Sequence, residues 1–123
     1  MAHPVDIKWL SEPEEQDYPA ANSYLSLIYD QAEANAHEKA LRSAPISQFK
    51  AKDIFRASGL SLLGTSNSHV AKDLDKVQAG RALSPLLLVR LTSQGKVIIA
   101  DGYHRLCALY ACNEDAVVPC KIV

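Results

Sequence analysis

Apolar and polar residues alternate along the chain in two periods, and the change from one to the other outlines the elements. In "NSYLSLIYDQAEANAHEKALRSA", Leu25, Ile28, Tyr29, Ala32, Ala36 and Ala40 recur at helical spacing and predict one helix over about residues 20–41. Asn22 or Ser23 can cap its start, and Pro45 bars its extension. Ile46 to Phe49 then suits a short strand. Lys50 to Ala57 suits a short helix with Ile54 and Phe55 inward and Gly59 just past its end. "GLSLLGTSNS" reads as a polar loop around two or three buried leucines. Ser66, Asn67 or Ser68 caps a helix from about His69 to Ala79, whose apolar face is Val70, Leu74 and Val77 and which Gly80 ends.

The last third of the chain carries the period of strands. "PLLLVRL" predicts a strand, "SQG" a turn and "KVIIA" a second strand. Asp101-Gly102 turns into a helix bearing Leu106, Leu109 and Tyr110, with Asn113 expected as a left-handed stop. "AVVPCKIV" is the final strand, with Val118, Cys120 and Ile122 on one face and Pro119 placing it at a sheet edge or at its own start. Residues 1–19 hold Pro4, Pro13, Pro19 and the acidic run Glu12 to Asp17. They read as an irregular lead-in that Trp9 and Leu10 anchor to the body. With no internal repeat and no long linker, the expectation is one compact α+β domain, a small mixed sheet flanked by helices. Residues 1–44 supply a lead-in and an extra N-terminal helix packed on a core of residues 45–123.

Composition narrows the class. The 123 residues are the size of one domain, and 48% hydrophobic content is enough for one core. A net charge of -1 argues against nucleic-acid binding by bulk charge. The distribution is uneven: residues 1–40 carry eight acids and two lysines, whereas residues 41–123 carry eleven Lys/Arg and six acids. An acidic first part either shields a mildly basic remainder or presents a solvated helix face. No apolar stretch resembles a signal peptide or reaches membrane-spanning length, so a cytoplasmic protein is expected. Cys107, Cys112 and Cys120 are odd in number and lack C-x-x-C spacing, which points away from a zinc site or a disulfide framework.

The chemistry concentrates in Asp101-Gly102-Tyr103-His104-Arg105, at a strand-to-helix turn. A helix begun there presents free N–H groups and a positive dipole end, which suit a phosphate or another anion. Gly102 allows a sharp turn and close approach, Arg105 can bind phosphate oxygens bidentately, and His104 can donate a hydrogen bond or shuttle a proton. Basic residues at a helix start cost about 0.3–1 kcal/mol each, a cost an intervening anion removes. The plainer alternative is that Asp101 is only an N-cap paired with Arg105 at i,i+4. A carboxylate beside a phosphate is repulsive unless a divalent cation lies between them or Asp101 serves as a base.

From "SHVAKDLDKVQAGRALSP" through "LLLVRLTSQGKVIIADGYHRLCALYACNEDAVVPCKIV", about residues 66–123, the chain resembles the ParB/sulfiredoxin-like superfamily, in a ParB N-terminal-domain-like, D-G-x-H-R form. There a helix and an apolar strand precede a second strand, a G-x-x-R turn into a helix, and a "VP" strand. The D-G-x-H-R form is similar to that of free serine kinases with this fold. The resemblance implies a site for a nucleotide (ATP, ADP or CTP) with Mg²⁺. Gly102, Tyr103, His104 and Arg105 would then be phosphate contacts, joined by Ser68, His69 and Lys72 from the preceding helix, with Asn67 beside them. Asp101 and His104 would be the catalytic candidates, and Asp101 the contact to the nucleotide's Mg²⁺. Tyr103 stands where sulfiredoxins carry their catalytic cysteine, so that chemistry is expected to be absent; Cys107, one turn on, is expected in the core.

The leading expectation is a nucleotide-binding protein, acting as a phosphotransferase or NTP hydrolase. A non-catalytic nucleotide sensor and a DNA-associated accessory or nuclease-like protein are the alternatives. The chain ends after the last core strand, without the helix-turn-helix region of partition proteins, so DNA binding is expected to be weak or absent. A homodimer would form if the N-terminal helix packed its Leu25/Ile28/Ala32 face on a second copy rather than on its own domain.

Overall fold

In the computed structural model, which describes residues 6–123, five helices pack on one mixed four-stranded sheet. The elements in chain order are α1 (Asp17–Leu25), α2 (Gln31–Ser43), β1 (Ile46–Lys50), α3 (Ala51–Ser58), α4 (Ser68–Gln78), β2 (Leu86–Leu91), β3 (Lys96–Asp101), α5 (Tyr103–Cys112) and β4 (Val117–Ile122). The strand order is β1-β4-β2-β3; β4 runs antiparallel to β1 and parallel to β2, and β2 and β3 form an antiparallel hairpin.

The unbroken run Leu86-Leu87-Leu88-Val89 follows from this topology. β2 is an inner strand with both faces covered, so its side chains have no solvent side to alternate with. Leu86 and Leu88 join Ile99, Val118 and Cys120 on one face, against Ala51 and Ile54 of α3, Val77 of α4, and Leu106 and Leu109 of α5. Leu87 and Val89 join Ala100 on the other, against Tyr18, Ala21 and Leu25 of α1 and Ala34 and Leu41 of α2. Each buried leucine, isoleucine or valine among them stabilises the fold by about 1.5–3 kcal/mol. α4 and α5 meet through a smaller cluster of Val70, Cys107 and Ala108. The result is three layers, with the acidic N-terminal helices on one side of the sheet and α3, α4 and α5 on the other.

Several expectations need correction. The one N-terminal helix is two. α1 starts at Asp17, inside the expected irregular lead-in, with Pro19 tolerated in its first turn. The chain turns at residues 26–30, and Asp30 caps α2 by accepting from the Glu33 N–H at 2.8 Å. The break resets the helical phase. The buried positions are Tyr18, Ala21 and Leu25 in α1, then Ala34 and Leu41 in α2, while Ile28 is 47% exposed and Ala32 is exposed. Asn113 ends α5 in extended backbone, not in a left-handed conformation. Pro119 lies in an inner strand; the parallel ladder to β2 starts at Cys120, so on that side the proline precedes the first pair. Trp9 does anchor the lead-in, bridging to Leu83, while Leu10 N–H donates to the Leu83 carbonyl. Pro4 lies outside the described residues. No helix among the described residues is long and apolar enough to cross a membrane.

Candidate functional site

The site grows from an irregularity at the end of β3. Leu88 pairs with Ile99 and Leu87 with Asp101, so Ala100 is the extra residue of a β-bulge. The bulge re-aims Asp101, setting it opposite Leu87 on the side of the sheet that α1 covers. Gly102 follows with φ +108°, a backbone region that a side chain rarely enters. A Cβ there would also lie 2.6 Å from Leu86 Cγ and 2.9 Å from Arg105 Nη2. The close approach that demands this glycine is therefore made by the protein's own Leu86 and Arg105.

Gly102 is the N-cap of α5 and has no side chain to offer, and Asp101 does not cap in its place. The first-turn N–H groups, beginning with Tyr103 and His104, thus keep their donors and the positive dipole end uncompensated by a cap. α4 differs: Asn67 Oδ1 accepts from the N–H groups of His69 and Val70, at 3.0 and 3.2 Å. The two helices bring their starts together, and the imidazoles of His69 and His104 lie 4.8 Å apart, tilted by 38°.

Arg105 makes the i,i+4 pair with Asp101 that the plainer alternative expected, and adds a partner from α1. Its Nη2 donates to Asp101 Oδ2 at 3.0 Å and lies 3.9 Å from Asp17 Oδ2. Asp17 is buried in α1 and also accepts from the Ser84 hydroxyl, which in turn accepts from the Glu14 N–H at 3.1 Å. Arg105 Nε is buried without a partner among the described residues. Two carboxylates therefore neutralise this guanidinium, and the network Glu14–Ser84–Asp17–Arg105–Asp101 ties the N-terminal layer to the turn. Burial pushes the Asp101 carboxyl above its ordinary value, Arg105 pulls it back only in part, and the neighbouring Asp17 adds to the rise.

A cavity of about 390 Å³ opens at the turn, lined by Tyr24, Leu60, Ile99, Ala100, Asp101, Gly102, Tyr103 and His104. That is within the range of about 300–1,000 Å³ usual for small-molecule sites. Of the residues singled out in the sequence, Asp101 to His104 line it. Ser68 and His69 sit at the neighbouring start of α4, and Lys72 lines a separate groove with Asp75, Lys76 and Arg81. Arg105 is not among the lining residues. The Tyr103 hydroxyl donates to the Ser61 carbonyl and so tethers the loop after α3. Cys107 is fully buried, and burial pushes its thiol up.

Four participants were not foreseen. Asp17 and Ser84 form a long-range contact that no local pattern encodes. Tyr24 is exposed, and so are Leu60 and Leu62 in the loop expected to bury two or three leucines; Tyr24 and Leu60 acquire meaning only beside the cavity. Among the described residues no group of three His, Cys, Asp or Glu side chains could by itself hold a metal ion. A Mg²⁺ here would depend on the phosphates of its ligand, with Asp101 as the one carboxylate lining the cavity. No protein-family model, curated protein or solved structure matches the chain.

Proposed function

We propose that this protein binds a nucleotide through its phosphates at the start of α5, within a ParB/sulfiredoxin-like core. The observation that carries the reading is that the uncapped N-terminus of α5 opens directly into a ligand-sized cavity, with His104 lining it and the His69 ring packed at a tilt beside His104. Free amide donors, a positive dipole end and two imidazoles favour an anion with several oxygen acceptors. The succession α4, β2, β3, glycine turn, α5, β4 is the order that the resemblance implies and supports it further.

Within this reading the roles differ from those inferred by position alone. The Tyr103 and His104 amides and the His104 side chain face the phosphates, with Ser68 and His69 beside them. Arg105 acts through Asp101 and Asp17 and holds the turn in shape. A second reading, phosphotransfer or hydrolysis, is favoured by one feature: Asp101 lines the cavity with its carboxyl pushed up by burial, the condition in which a carboxylate is a better base.

The binding proposal is tested by thermal denaturation with ATP, ADP, CTP and inorganic phosphate, each with and without Mg²⁺. At 100 times Kd a ligand stabilises by about 2.7 kcal/mol, a rise of several degrees for a domain of this size. The expected result is such a rise with at least one nucleotide, lost in His104→Ala. No rise with any nucleotide, or an equal rise in His104→Ala, contradicts it. Steady release of phosphate by the parent, abolished in Asp101→Asn with binding retained, would establish the catalytic reading.

A further inference from the structure

The lining of the cavity has two chemical characters, and only one suits a phosphate. Asp101, Gly102, Tyr103 and His104 supply its polar part, at the helix start, while Ile99, Ala100, Tyr24 and Leu60 supply mainly apolar surface. Tyr24 and Leu60 come from parts of the chain that are remote in sequence: α1 and the loop after α3.

Tyr24 is out of place as a packing residue. α1 already buries Tyr18, Ala21 and Leu25 against the sheet, and Tyr24 stands one position off that face, 42% exposed. Leu60 is likewise 43% exposed, yet its position is fixed from both sides. Its N–H donates to Ser58 Oγ at 3.2 Å, and the next carbonyl, of Ser61, accepts the Tyr103 hydroxyl. The chain thus holds an exposed aromatic ring and an exposed leucine in the wall of a cavity that also takes in the start of a helix. Such side chains regain favourable burial when a flat apolar surface covers them.

We propose that Tyr24 and Leu60 form the subsite for the nucleobase, with the base stacked on the Tyr24 ring and the phosphates at the start of α5. This rests on the phosphate reading above and adds to it the residues that separate a nucleotide from a bare polyphosphate. A planar heterocycle suits this wall because any base has a π-face to lay on a phenol, whereas apolar walls offer little to a sugar.

The test is calorimetric titration of the full chain with ATP, CTP and inorganic tripolyphosphate, in the parent, Tyr24→Ala and Tyr24→Phe. Tyr24 is exposed, so neither substitution removes a core contact. The expected result is that tripolyphosphate binds more weakly than the better nucleotide. Tyr24→Ala weakens that nucleotide about tenfold, the scale of losing one base–aromatic stack, while Tyr24→Phe keeps it. Tripolyphosphate affinity is the same in all three proteins. Equal binding of tripolyphosphate and nucleotide, or a Tyr24→Ala effect that is absent or equal for both, overturns the base subsite and leaves the phosphate site standing. Failure of all three ligands to bind the parent overturns both.

Discussion

Gly102 and Arg105 show how one residue's conformation sets another's role. The φ of +108° and the 2.6 Å approach of Leu86 Cγ act together, so Gly102→Ala meets both backbone strain and a clash with a fully buried leucine. Its expected cost is about 1–3 kcal/mol of stability, measured by denaturant titration; a change below about 0.5 kcal/mol, the size of an ordinary surface substitution, would contradict the close approach. Asp101 makes a prediction in pH. Its carboxyl is raised by burial above the unfolded value, so the fold favours the protonated form. The associated stability is present below the ordinary carboxylate range and is lost as pH rises through the folded value. Asp101→Asn cannot titrate. The stability of the variant relative to the parent should therefore increase from about pH 3.5 upward and level off above the folded pKa. A relative stability that falls over the same range would mean that the Arg105 pair outweighs burial.

At the scale of elements, the strands were the most legible part. "PLLLVRL", "SQG" and "KVIIA" carry period, turn and β-branched content that agree with one another, and each element lies where the pattern places it. The N-terminal helices were harder because Leu25, Ile28, Ala32 and Ala36 keep a continuous helical phase across a real break. The signal against one helix was present: Asp30 and Glu33 have the spacing of a capping box, and Asp30 does accept from the Glu33 N–H. Pro119 misled because β4 is an inner strand whose ladder to β2 begins one residue later, a fact about its partner's start that β4 itself does not record. The corrected faces can be checked by a pair of truncations. Leu25→Ala should cost about 2–5 kcal/mol as a buried leucine, whereas Ile28→Ala should stay within about 0.5 kcal/mol. Equal costs would restore the single-helix face.

At the scale of the whole molecule, the uneven charge finds a structural expression. The acidic first part covers one face of the sheet, and its Asp17 reaches the turn at Arg105; Glu12 pairs with Lys121 at 3.1 Å, whose ammonium also donates to the Arg42 carbonyl at 2.9 Å. These contacts were invisible in the sequence because they join residues 67 or more positions apart, and local spacing says nothing of such pairs. The candidate site was legible as a cluster, Asp101 to Arg105, but not in its division of labour, since that depends on which carboxylates meet the guanidinium. The central claim is that phosphate oxygens meet the backbone at the start of α5. An amide-resolved ¹⁵N–¹H spectrum recorded during titration with ATP, or with CTP if that nucleotide stabilises more, tests this directly. The largest shifts should fall on the amides of Gly102, Tyr103, His104 and Arg105, with a smaller response at Ser68 and His69. Saturable shifts centred on Lys72, Lys76 and Arg81 instead, with the amides of residues 102–105 unmoved, would contradict the claim.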